Sequence, residues 1–237
     1  MWCSTTGLSS HTDHVTPFVI DGSSVAPVNL AQLLGVHLDS ELRMTNHISR
    51  TVSTCFYQLR RLKGIRKSLP LESAKTLVSS FVTSRLDYCN GVLAGSTQKQ
   101  TASMQSILNA APRLLCGGTK RDHITPLIRD KLHWLRFTQR VTYKLCTLVY
   151  KSIHNSAPQY LTELLHPVAS SQCDRRLRSS SSLDVVRPRC RLKFGERGFS
   201  VAAPEAWNSL PSHVKSASTL TSFKDRLKTE LFSRSYP

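Results

Sequence analysis

Two histidines and an aspartate near the N-terminus have the spacing of a metal-binding motif. His11 and Asp13 stand two positions apart and His14 follows them, which matches the His-x-Asp part of iron sites that use two histidines and one carboxylate. An iron oxygenase also needs a distal histidine and a substantial β-barrel, whereas most of this chain has a helical spacing of apolar residues. We therefore predict no metal site and no bound cofactor.

The printed sequence offers little else that supports catalysis. Its seven scattered cysteines include no C-x-x-C pair, so neither a disulfide framework nor a zinc site is indicated. A Cys–His pair such as Cys116 with His123 or His133 has no local signature around it, and no glycine-rich phosphate loop and no adjacent aspartates for two metal ions occur. We predict no catalytic residues, and cysteines that serve as small buried side chains in a reducing compartment.

A row of cations on one predicted helix is the clearest candidate for binding. Over residues 136–153 the apolar side chains form one arc, and cations recur along the adjoining strip with two tyrosines at its border. Such a row can follow a phosphate backbone, and the rings can stack on unpaired bases. The alternative is a solvated helix face with two half-buried tyrosines. The predicted nucleic-acid-binding residues of this helix are Arg136, Arg140, Tyr143, Lys144, Tyr150 and Lys151.

A second basic stretch lies between residues 175 and 193. Seven cations occupy these nineteen positions against one acid, Asp184, and runs of serine surround the first three cations. The composition predicts a flexible connection that leads into a strand and either clamps nucleic acid or serves as a solubilising or localisation-like loop. Its predicted binding residues are Arg175, Arg176, Arg178, Arg187, Arg189, Arg191 and Lys193.

The charge of the whole chain agrees with a polyanionic partner. The 237 residues carry 32 lysines and arginines against 15 acids, a net charge of +17, which excludes an acidic linker and an ordinary neutral metabolic enzyme. Residues 1–40 have a net charge of −3, so the remainder carries +20. With 40% hydrophobic residues the chain can form a core. We expect an intracellular protein of the nucleus or cytoplasm, without signal peptide or transmembrane segment.

The elements that must position these residues are mostly helices. Two short apolar runs at 15–20 and 32–38 flank a turn-like segment at 21–24 and predict a hairpin or two neighbouring strands. Apolar spacing then predicts six helices. The first starts from Thr45 as N-cap, and the second has its N-cap and first turn at Ser68-Leu69-Pro70. The others cover 98–115 despite Pro112, 136–153, 203–210 with Trp207 as anchor, and 219–232. The predicted fold class is mainly α with a small β part (α+β).

A series of short motifs in fixed order resembles the reverse transcriptase of non-LTR (LINE-type) retrotransposons. The resemblance covers roughly residues 15–233. The matching stretches are residues 34–39 (LGVHLD), 81–90 (FVTSRLDYCN), 109–111 (NAA), 122–126 (DHITP), 132–135 (LHWL), 148–151 (LVYK), 157–161 (APQYL), 177–179 (LRS), 199–204 (FSVAAP), 207–211 (WNSLP), 223–224 (FK) and 231–232 (LF).

The resemblance implies a part of that protein that lies downstream of the polymerase centre. In the family the LGVxLD segment follows the metal-binding Asp-Asp turn of the palm, so the catalytic motif would have no counterpart here and the chain would not be an enzyme. The implied organisation is a palm-end β segment at 1–40, a helical thumb-like domain at 41–166, a basic Ser/Arg-rich connection at 167–193 and a strand/helix region at 194–237.

The implied partner is RNA or an RNA–DNA duplex, held through its backbone with low sequence specificity. The chain departs from the family pattern at Pro112, at Arg136 and at Arg187-Pro188-Arg189. Two alternatives stand beside this interpretation. One is a structural or protein-interaction remnant without activity of its own, and the other is an enzyme, either an RNA-directed DNA polymerase or an iron-dependent oxygenase.

Overall fold

Two short hairpins begin the part of the chain that the computed structural model describes, which comprises residues 17–119, 121–168, 183–192 and 195–236. Strands β1 (Phe18–Ile20) and β2 (Ser23–Val25) pair antiparallel, as do β3 (Leu30–Leu33) and β4 (Val36–Asp39). Each turn has two residues with positive φ, Asp21-Gly22 and Leu34-Gly35, which is the backbone of a type I′ hairpin turn. The second apolar run therefore folds back on itself instead of pairing with the first.

Helix α1 (Thr45–Ile65) follows the hairpins and packs against helix α4 (Gln98–Cys116). The N-cap of α1 is Met44, in the left-handed region at φ 60°, and Thr45 is already helical, so the predicted N-cap is wrong by one residue. Its side chains Cys55 and Leu59 enter the core because α1 is amphipathic. Pro112 is buried inside α4, and the helix continues through it to a left-handed cap at Gly117, as predicted.

A single helical stretch with a widened turn connects these two helices. Helix α2 (Leu71–Val78) runs through a π-helical turn at Ser79–Thr83 into the short helix α3 (Ser84–Asp87). Such turns re-aim the residues that follow them. Here the turn buries Val82 and brings Asp87 to the helix end. A 3-10 turn at Asn90–Leu93 then leads to α4, which begins with a capping box between Thr97 and Gln100.

Helix α5 (Phe137–Ile153) lies at the centre of the second half of the chain. It is preceded by a π turn at Leu127–Leu132 and followed by the short helix α6 (Gln159–Thr162). Helices α7 (Phe199–Asn208) and α9 (Leu220–Ser235) pack on α5, and the short α8 (Ser212–Lys215) packs on α9. One buried cluster extends from Val36 to Leu231, so the C-terminal helices and the N-terminal ones share a core.

Side chains of α7 hold the segment that precedes it. Trp207 is buried, as predicted, and its Nε1 donates to the carbonyl of Leu183 at 2.8 Å. The Asn208 amide bonds both backbone groups of Val185, at 2.8 and 3.0 Å, and an isolated bridge joins Val185 to Pro167. The predicted strand at this place is therefore one bridge within the described residues.

Helices dominate the described ranges, with two small antiparallel sheets beside them. The predicted fold class, mainly α with a small β part, is confirmed. In these ranges no helix is both long and apolar enough to cross a bilayer.

Candidate nucleic-acid interface

Helix α5 turns its apolar side inward and carries its cations on the outer side. Phe137, Val141, Leu145 and Val149 are buried because the helices around α5 cover them, and Leu148 is half-buried. Arg136 and Lys144 are exposed, and Lys151 is half-buried. Within the described part of the chain, none of these three cations forms an ion pair with a carboxylate. The guanidinium carbon of Arg136 lies 5.1 Å from the centre of the Tyr236 ring, and the charge of Lys144 acts on the Asp87 carboxyl.

Arg140, the fourth predicted cation of this helix, is engaged inside the protein. Its Nη1 donates to Oδ2 of Asp87 at 2.6 Å, and its Nε donates to the carbonyl of Leu135 at 3.1 Å. Only 14% of the side chain is exposed. Burial raises the pKa of the Asp87 carboxyl, and the positive charge of Arg140 opposes that rise. Contrary to the prediction of a free cation, Arg140 positions Asp87.

The two tyrosines of α5 have different surroundings. Tyr150 is 2% exposed, its ring stacks on His154 and Phe223 with centroids 3.9 and 4.3 Å away, and its hydroxyl donates to the carbonyl of Ala217 at 3.0 Å. With both faces covered it cannot stack on a base, so its predicted role is wrong. Tyr143 is half-buried, and its pKa is raised by burial and by the nearby charge of Asp225.

An open cavity of about 370 Å³ lies beside this strip of α5. Its walls come from the end of α3, the 3-10 turn after it, the segment before α5, α5 itself and α9. Carboxylate, amide, aromatic and cationic groups thus meet in one place, although they come from distant parts of the sequence. The lining residues are Asp87, Asn90, His133, Trp134, Leu135, Arg140, Tyr143, Lys144 and Lys228.

A second cavity of about 330 Å³ shares Trp134 and Arg140 with the first. It adds Lys131, which is exposed, and Lys75, whose Nζ lies 2.8 Å from Glu72. We use the name basic surface for five cations that either line these two cavities or belong to α5 and its N-cap, and that form no ion pair within the described residues: Lys131, Arg136, Lys144, Lys151 and Lys228.

Sequence reasoning missed Lys131, Lys228 and Trp134 as members of this surface. Trp134 belongs to the LHWL motif, which contributes to the family resemblance. That motif does not indicate where the Trp134 side chain lies in the fold. Lys228 follows the buried Leu227 on α9, and nothing in the spacing of that helix connects it with α5.

Two other cavities with basic residues flank α1. One of about 430 Å³ lies between the β3–β4 hairpin, α1 and α3 and includes Arg50 and Arg85. The other, of about 570 Å³, lies where α1 and α4 begin and includes Arg43, Lys99 and Arg197. None of the residues predicted to bind nucleic acid lines either cavity.

The arginines of the basic connection are only partly described. Arg175, Arg176, Arg178 and Lys193 lie outside the described residues. Among the others, Arg187 forms an exposed ion pair with Glu205 of α7 at 3.0 Å, whereas Arg189 and Arg191 are exposed. No contact in the described part of the chain brings Arg187, Arg189 or Arg191 to the basic surface.

The groups considered for catalysis do not assemble into a site in the described residues. No three side chains of the metal-binding types come together there, and His11, Asp13 and His14 lie outside the described residues. Burial raises the pKa of Cys55 to about 11 and that of Cys146 to about 12, so both are protonated at neutral pH. These two cysteines are small buried side chains, as predicted.

Comparisons of the chain with models of known families, with curated proteins and with solved structures give no match.

Proposed function

We propose that this chain is a thumb-like part of a non-LTR retrotransposon reverse transcriptase that binds RNA or an RNA–DNA duplex through the phosphate backbone. In this proposal it does not polymerise DNA by itself. The order of the short sequence motifs supports the family, and the helical fold with its small β part is compatible with a thumb.

The observation that carries the binding function is the group of cations on the basic surface that form no ion pair within the described residues. Lys131, Arg136, Lys144 and Lys228 are exposed and Lys151 is half-buried, and all five form no ion pair within the described residues. Exposed cations neutralise phosphates without reading base edges. This supports tight binding at low salt with little preference for sequence.

The salt dependence of duplex binding tests this proposal. If the five cations of the basic surface each neutralise one phosphate, log affinity changes by about −3.5 to −4.5 per tenfold increase in salt. Fluorescence anisotropy of a labelled RNA–DNA duplex, titrated with the protein at several salt concentrations, measures the slope. A slope near zero would refute backbone binding.

In a primer-extension assay with Mg²⁺ we expect no nucleotide incorporation. Incorporation would refute the proposal that the chain does not polymerise DNA by itself.

A protein-interaction function is the second candidate, and the hairpins favour it. Val19, Leu33 and Leu34 are 71%, 60% and 82% exposed, which is unusual for apolar side chains so close together in the chain. In this candidate the hairpins pack on another protein region and the cations serve solubility. Removal of cations from the basic surface separates the two candidates, because in the second candidate duplex binding follows the net charge of the chain and not these positions.

A further inference from the structure

The cavity beside Lys144 and Lys228 contains groups that a phosphate backbone does not need. Lys144 and Lys228 are exposed and can contact phosphates. Tyr143 and Trp134 line the same cavity and are half-buried, and the guanidinium carbon of Arg140 lies 5.9 Å from the centre of the Trp134 ring. Aromatic rings beside cations are the arrangement with which proteins hold unpaired bases together with their phosphates.

The Asp87 carboxylate supplies an accessible acceptor on the same cavity. It is 38% exposed. Its Oδ2 accepts from Arg140 at 2.6 Å, and its Oδ1 accepts a long bond of 3.4 Å from Nδ2 of Asn90. A carboxylate has about four lone-pair sites, so Asp87 retains acceptor capacity. Arg140 and Asn90 line the same cavity and take up part of this capacity, and the rest is open to a donor on a ligand that enters the cavity.

We propose that this cavity receives one unpaired nucleobase with an exocyclic amino group, which donates to Asp87 while the base lies against Tyr143 and Trp134. Adenine, cytosine and guanine carry such an amino group, whereas thymine and uracil do not. The volume of about 370 Å³ is within the range of small-ligand pockets. The flanking phosphates contact Lys144 and Lys228. This inference rests on the proposed function and adds a preference for single strands and for amino-bearing bases.

Three oligonucleotides of about twelve units with equal backbone charge test this inference. One alternates adenine and cytosine, one contains only thymine, and one is an abasic strand without bases. We expect the adenine–cytosine strand to bind about five-fold or more tightly than the abasic strand, and more tightly than the thymine strand. Equal affinity for the adenine–cytosine and abasic strands would overturn the pocket. Equal affinity for the adenine–cytosine and thymine strands would overturn the preference for amino-bearing bases, because an unpaired thymine can donate only through its ring N3–H.

The Tyr143→Leu variant tests whether this cavity holds the base. We expect its affinity for the adenine–cytosine strand to fall about five-fold or more towards that for the abasic strand, while abasic binding stays unchanged. The matched control is Tyr57→Leu, which removes an exposed tyrosine beside a cation, Arg61, on α1 and should change neither affinity. Equal weakening for both strands in Tyr143→Leu, or an equal effect in the control, would contradict the assignment.

Tryptophan fluorescence of a Trp2→Phe variant gives a second measurement. This variant lacks the tryptophan that lies outside the described residues, and it keeps Trp134 in the cavity and Trp207 buried in the core. The adenine–cytosine strand should quench protein emission at saturation, and the abasic strand should leave it unchanged; equal quenching by both would contradict the inference. If none of the three strands binds at low salt, backbone binding itself fails. If all three bind equally, backbone binding stands and the base pocket fails.

Discussion

Removing two lysines from the basic surface should change the salt dependence of binding by a calculable amount. Lys144 and Lys228 are exposed, line the same cavity and form no ion pair within the described residues. Each neutralised phosphate contributes about 0.7 to 0.9 to the slope of log affinity against log salt. The double variant Lys144→Ala/Lys228→Ala should therefore have a slope about 1.4 to 1.8 less steep than the unchanged protein.

The slope difference corresponds to a large effect over an accessible range. Between about 50 and 200 mM salt, the unchanged protein should lose about 7- to 12-fold more affinity for an RNA–DNA duplex than the double variant. Anisotropy titrations at four or more salt concentrations measure both slopes. Because both side chains are exposed, the free energy of unfolding should change by less than about 1 kcal/mol in total, which a urea titration checks.

A matched variant separates local contacts from net charge. Lys63→Ala/Lys67→Ala removes the same charge from two exposed lysines that line neither cavity of the basic surface. Its slope should equal that of the unchanged protein. If the control changes the slope as much as Lys144→Ala/Lys228→Ala does, the effect is one of net charge and the assignment of these two lysines is refuted. An unchanged slope in the test variant would refute it equally.

Two further predictions concern the residues behind the surface. The Tyr150→Phe variant removes the hydroxyl that donates to the Ala217 carbonyl. It should lower the free energy of unfolding by about 1 to 2 kcal/mol and leave duplex affinity unchanged. Weaker duplex binding without a loss of stability would contradict the assignment of Tyr150 to the core. Because the folded-state pKa of Asp87 is raised above 3.8, its ionised form is disfavoured by folding. The stability of the protein relative to Asp87→Asn should therefore increase as the pH falls from 7 towards 4, and a urea series in which it decreases would contradict this.

The helices could be predicted because their signals are local. In α4 and α5 the apolar residues recur with the helical period, and the observed bounds Gln98–Cys116 and Phe137–Ile153 lie within one residue of the predicted ones. Pro112 did not end α4. It lies in the buried side of the helix, where tertiary packing outweighs the lost hydrogen bond.

The turn of the first hairpin was predicted from the segment 21–24, whereas the second hairpin was not predicted, and a distant contact holds its turn. The turn at Leu34 places a leucine at φ 47°, a conformation that sequence rules assign to glycine or asparagine. The hydroxyl of Tyr88 donates to the Leu34 carbonyl at 2.7 Å, from 54 positions away. A bond of this separation has no counterpart in the spacing of neighbouring residues.

The domain boundaries, the reverse transcriptase resemblance and the arginines at 175–178 stay predictions.

For the described residues, the sequence by itself determined that α5 has an apolar side and a basic strip, since periodicity and charge are properties of residue types. Only the tertiary structure decided which members of the strip face solvent. Asp87, 53 positions from Arg140, neutralises that cation, Phe223 covers the ring of Tyr150, and α9 brings Lys228 to the cavity. Burial and ion pairing arise between elements, and for this reason the pattern within one helix could not indicate them.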